Sequence, residues 1–140
     1  MAVQSERIRK LNQAAEQPGR RYVLYWTQAN RRVDANHGLL YAVDLPGNIH
    51  CLDAATGKPY WVYETGAETW GTPLVADGKV YLTNKRGLIV MAAGKEPKLI
   101  STVTLGSQSY ATPVTANGTL FVASKGALWA VQRGGHGEAQ

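Results

Sequence analysis

From Gly38 onward the chain alternates short apolar runs with polar, glycine-containing breaks. In the clearest stretch, segments at about 72–76, 79–84, 88–92 and 99–105 are rich in Val, Ile, Leu, Thr and Tyr. Such residues suit a pleated, half-buried surface. The breaks are Asp77-Gly78, Lys85-Arg86-Gly87 and Gly94-Lys95-Glu96-Pro97. Asp-Gly, like Asn117-Gly118 further on, favours the tight hairpin turn that needs positive φ. The pattern predicts four consecutive antiparallel strands and no long helix in this region.

The pattern also recurs. At an offset of 40 residues, Thr72-Pro73 falls on Thr112-Pro113, Asp77-Gly78 on Asn117-Gly118, Tyr81 on Phe121, Lys85 on Lys125 and Leu88 on Leu128. One period earlier, Gly38, Tyr41 and Gly47 align without gaps on Gly78, Tyr81 and Gly87. Gly66 aligns with Gly106, and Trp70 with Tyr110. Four strands in about forty residues is the arithmetic of a β-propeller blade. The expected fold is therefore mainly β, a partial β-propeller of about two and a half four-stranded blades over 38–133. A short basic helix/strand segment, 1–37, precedes it, and a disordered tail, 134–140, follows.

Gly47, Leu52-Asp53-Ala54, Thr56-Gly57-Lys58, Trp61, Pro73 and Asp77-Gly78 together resemble the PQQ-like, quinoprotein-type propeller repeat. The resemblance implies that Gly57 and Trp61 are docking residues holding one blade against the next. The second copy has Ala93-Gly94-Lys95 and no following Trp, which implies weaker or different docking there. Residues 5–41 carry another resemblance, to the N-terminus of class II DNA photolyases, through Tyr22–Trp26, Gln28, Arg32, Asn36, His37 and Leu39. That family places a strand at its start and Asn-His-Ala-Leu on its first helix. Its flavin domain has no counterpart in the chain.

Composition narrows the chemistry. One cysteine, Cys51, allows no internal disulfide and no multi-cysteine metal site. Placed inside an expected strand, it reads as a buried thiol. His37, His50 and His136 lack metal-ligand spacing, and no serine sits in a nucleophile-elbow pattern. No catalytic and no metal-binding residues are expected. Asp44, Asp53 and Asp77 read as turn hydrogen-bond acceptors. Of the net charge of +5, residues 1–37 carry +4; that front is read as a solvated helix and loop rather than a DNA-binding surface. No apolar run approaches a membrane span. The polar start lacks a stretch of signal-peptide length, so the chain as written reads as cytoplasmic, although propellers of the family it resembles are often exported.

Trp70 and Tyr110 hold the same repeat position, in the loop entering the innermost strand of a blade. They form the candidate interaction surface, with inter-blade packing as the alternative. The functional expectation is a non-enzymatic PQQ-like module for protein interaction or scaffolding, a partial ring or fragment that binds a protein partner or self-associates to complete a ring. The alternative is a remnant of a quinoprotein oxidoreductase or of a photolyase without an intact active site. No cofactor is expected; PQQ and FAD belong to that alternative. One further expectation places Arg21–Gln28 as a strand added to the outer edge of the last blade.

Overall fold

The computed structural model describes residues 38–133; the front segment with its Arg21–Gln28 strand and the tail lie outside the described residues. Those described build ten strands in three antiparallel sheets. The first sheet holds β1 (Leu39–Val43), β2 (Asn48–Asp53) and β3 (Pro59–Glu64). The second holds β4 (Leu74–Ala76), β5 (Lys79–Thr83), β6 (Gly87–Ala92) and β7 (Leu99–Thr104). The third holds β8 (Val114–Ala116), β9 (Thr119–Ala123) and β10 (Leu128–Gln132). Strands pair in sequence order within each sheet, as in successive propeller blades with β4 and β8 innermost.

Local chemistry sets the hairpins. Ala76 pairs with Lys79 and Ala116 with Thr119, leaving two-residue loops. Both loop residues are left-handed: Asp77 at φ 49 and Gly78 at 67, Asn117 at 50 and Gly118 at 74. This is the turn whose twist matches that of the flanking strands.

The gapless alignment needs one correction. Val43 pairs with Ile49 across the first β1–β2 turn, whereas Thr83 pairs with Leu88 in the second blade. The first turn is one residue longer, so Asn48, opposite Glu64, takes the place of Gly87, opposite Thr104. Gly47 instead sits inside the turn. The β-bulges at Cys51/Leu52 and Val90/Met91 then coincide, and the longer loop Ala93–Lys98 restores the forty-residue spacing before β7. A side chain caps each turn. Asp44 Oδ1 accepts from Asn48 N at 2.8 Å; Asn84 Oδ1 accepts from Arg86 N at 2.8 Å and Gly87 N at 3.0 Å.

Alternation sends the two faces of the middle blade to different neighbours. Val80, Leu82, Ile89 and Met91 pack toward Tyr41, Ile49, Cys51 and Trp61 of the first blade. Tyr81, Leu88 and Val90 pack toward Leu120, Val122 and Trp129 of the third. Stacking, not sequence, decides burial. Leu88, covered by the third blade, is 6% exposed, while its repeat counterpart Leu128 is 57% exposed. The blades converge at their inner ends. Thr72 N donates to Thr112 Oγ1 at 2.9 Å, and the two hydroxyls are 2.6 Å apart. A Cβ on Gly71 would lie 2.8 Å from Ala111 O, so only glycine permits this approach. A cleft of about 1190 Å³ lies between the second and third blades, lined from Ala76 and Thr115 on the innermost strands to Val103 on β7.

Candidate functional site

In an antiparallel blade the β5–β6 turn and the loop leading to the next innermost strand lie at the same end of the sheet. That end carries both residues of the aromatic candidate. Trp70 immediately precedes the approach at Gly71, and Tyr110 immediately precedes Ala111. They come from loops of neighbouring blades, yet their ring centroids lie 6.4 Å apart at an interplanar angle of 59°. Both remain open to solvent, Trp70 at 48% and Tyr110 at 41% exposure.

The loops beneath them are held by a repeated set of bonds. Thr69 Oγ1 donates to Thr83 O at 2.6 Å, and its counterpart Ser109 Oγ to Ala123 O at 2.5 Å. Lys85 N donates to Glu68 O at 3.0 Å, and Lys125 N to Gln108 O at 2.9 Å. The sequence reading assigned no role to the hydroxyls at 69 and 109; their shared place in the forty-residue register is the signal that marks them. Each loop is thus clipped to the turn of its own blade, and the aromatic side chain projects from a fixed base.

Electrostatics differ between the copies. Lys85 Nζ forms an ion pair with Glu68, and hydrogen bonding to that carboxylate raises the lysine pKa. At the next repeat Gln108 replaces the acid. There Tyr110 Oη donates to Gln108 Oε1, and Lys125 Nζ stands 5.1 Å from the Tyr110 ring centroid, within cation–π range.

The two residues expected to dock blades have unlike surroundings. Trp61 is 6% exposed, and its Nε1 donates to Gly94 O of the second blade at 2.9 Å. Gly94 N in turn donates to Tyr41 Oη at 2.7 Å. Tyr41 and Trp61 rings lie 6.0 Å apart. Gly57 is buried at φ 74, and its N–H donates to Asp53 O at 2.8 Å within its own turn. Gly94, which reads in sequence as a turn residue, is the centre of the inter-blade contact; nothing local marks it, because its partners lie 33 and 53 positions away.

The remaining candidates stay dispersed. Asp53 accepts from Ala55 N, Thr56 N and Tyr60 Oη at 2.9, 2.8 and 3.0 Å. The Thr56 backbone bond, and then the Tyr60 hydroxyl, hold its carboxyl below the usual value. Buried Asp44 takes His50 Nε2 at 3.1 Å as well as Asn48. Cys51 is a buried thiol whose Sγ lies 3.5 Å from Gly94 O. Among the described residues no three His, Cys, Asp or Glu side chains cluster as metal ligands. No helix among them is long and apolar enough to cross a membrane. His37 and His136 lie outside the described residues.

Comparison with known proteins fits this architecture. Quinohemoprotein alcohol dehydrogenase ADHIIG from Pseudomonas putida HK5 superposes with a TM-score of 0.60 at 20% identity, over 68% of this chain and 17% of that one. BamB from Moraxella catarrhalis superposes at 0.57 and 18% identity, over 68% of this chain and 30% of that one. The chain therefore spans less than a third of the length of either structure, and at these identities the likeness is one of fold. No curated protein matches in sequence. The photolyase resemblance finds no support. A family model described as outer membrane protein assembly factor BamB matches residues 11–96, running through most of the segment read as photolyase-like. Leu39, placed on a helix by that resemblance, stands in strand β1. With more than half of its length matched, the chain belongs to the BamB-type family of PQQ-like propeller repeats.

Proposed function

We propose that this chain is a non-enzymatic propeller module that binds a protein partner through the face carrying Trp70 and Tyr110. One observation carries the reading: two large aromatic rings from adjacent blades meet at 6.4 Å while remaining 48% and 41% exposed. Rigid aromatics of this kind supply contact area at small entropic cost and dominate binding energy where they are buried by a partner. The loop bonds at Thr69 and Ser109 hold the pair in position before any partner arrives. Membership of a family described as an assembly factor agrees with a binding role. The uncovered third-blade residues Val114 and Leu128 offer a separate surface on which a further blade, from a second copy or another polypeptide, extends the stack.

The test compares the full chain with its Trp70→Ala/Tyr110→Ala double variant. A partner captured by the native chain is expected to lose at least about tenfold in affinity for the variant, whose circular dichroism should be unchanged. A colourless preparation is also expected. Undiminished binding by the double variant overturns this placement of the site, and a flavin or quinone absorption band that accompanies redox turnover overturns the non-enzymatic reading.

A further inference from the structure

The forty-residue repeat provides an internal control for charge. Positions 68 and 85 of one copy become 108 and 125 of the next, and the backbone bond between them persists, at 3.0 and 2.9 Å. In the first copy the side chains are an acid and a base that neutralise each other, Glu68 and Lys85. In the second copy the base remains as Lys125 and the acid is Gln108. Among the described residues no carboxylate comes within ion-pair distance of Lys125, whose ammonium rests over the Tyr110 ring. Arg86 is a second exposed cation without a carboxylate partner among them. Its guanidinium lies 3.3 Å from where a Cβ on Gly66 would stand, on the loop that carries Trp70. Among the described residues the other exposed carboxylate at this end of the sheets, Glu64, stands on the outermost strand β3.

We infer that the partner segment received at the Trp70–Tyr110 face is acidic, with a carboxylate meeting Lys125 and an adjacent apolar or aromatic side chain lying on the ring pair. The inference rests on the proposed binding role of that face and adds the chemistry of its occupant. Charge complementarity is the argument. An ammonium already stationed beside an exposed ring gives a carboxylate an attractive partner at the place where apolar contact is also available. Lys85 contributes little, because Glu68 already answers it. The exposed rings favour a polypeptide over a bare anion, since they offer apolar contact area that an anion alone leaves unused.

Gln108→Glu restores in the second copy the acid–base pair of the first, and it leaves Lys125, Trp70 and Tyr110 in place. The probe is a fluorescein-labelled peptide of alternating Glu and Tyr, with a Lys–Tyr peptide of equal length as its opposite-charge control. Anisotropy titrations use the full 140-residue chain. The expected results are tighter binding of the Glu–Tyr peptide, weakening as salt rises, and a loss of about fivefold in both Gln108→Glu and Lys125→Gln, the upper range for one exposed pair. Equal binding of the two peptides, or unchanged affinity in both variants, overturns the acidic assignment. Such a result leaves the aromatic face intact as a binding site if Trp70→Ala/Tyr110→Ala still weakens partner capture about tenfold or more; failure of that double variant to matter removes the underlying reading instead.

Discussion

Replacing Trp61 by Phe removes one indole N–H and part of one ring at the junction of the first two blades. The N–H donates to Gly94 O at 2.9 Å, a bond worth about 1 kcal/mol net when both partners are otherwise satisfied. Among the described residues Gly94 O then keeps the Cys51 Sγ contact at 3.5 Å, a weak replacement. The shortened ring also leaves a gap against Tyr41 and the rest of the junction core, since Trp61 is only 6% exposed. Truncating a buried Trp to Ala costs about 3–5 kcal/mol, and the part lost here is the smaller portion of that side chain, about 1 kcal/mol. Together these predict a loss of about 2 kcal/mol. For a folded unit of this size, that corresponds to a fall in melting temperature of about 8–16 °C. Thermal unfolding followed by far-ultraviolet circular dichroism measures it, with Trp70→Phe as the control. Trp70 is 48% exposed, so its variant should stay within about 0.5 kcal/mol of the native chain. A Trp61→Phe protein melting within about 2 °C of the native one would refute the reasoning, as would a control that melts equally early.

Trp129 should behave differently, because its Nε1 is buried without a hydrogen-bond partner. Trp129→Phe removes an unsatisfied donor along with part of the ring, so the change should lie within about 1 kcal/mol of zero; calorimetry showing a larger loss than Trp61→Phe would contradict this. Asp53 makes a pH prediction. Its folded pKa lies below the ordinary 3.8, chiefly through the Thr56 backbone bond, so its contribution is present above that value and disappears as pH falls through the lower folded value. Asp53→Asn keeps an amide oxygen for the Ala55 and Thr56 donors but does not titrate. Native and variant chains should therefore converge in melting temperature as pH drops below about 3.8, and parallel curves through that range would count against the assignment.

Most of the architecture was legible in the sequence because its determinants are local. Asp77-Gly78 and Asn117-Gly118 specify hairpins through the φ values of two residues, and alternation over five or six positions assigns the faces of a strand. Strand boundaries in the middle blade differ from expectation by a residue or two: β4 starts at Leu74 and β6 includes Gly87. Glycine at 87 is demanded by a contact the sequence does not display, since a Cβ there would lie 1.9 Å from Val103 O.

The forty-residue period by itself determined the blade count, the order of strands and the equivalence of Trp70 with Tyr110. Tertiary structure alone decided the rest. It showed that the first turn carries an extra residue, because a capping side chain and a later loop absorb the offset, and a gapless alignment cannot register a change that cancels. It brought Trp61, Tyr41 and Gly94 together, because blade stacking joins residues 33 and 53 positions apart that no local pattern connects. It separated Leu88 from Leu128, chemically identical residues at identical repeat positions, because burial belongs to the neighbour that packs on a residue and not to the residue itself.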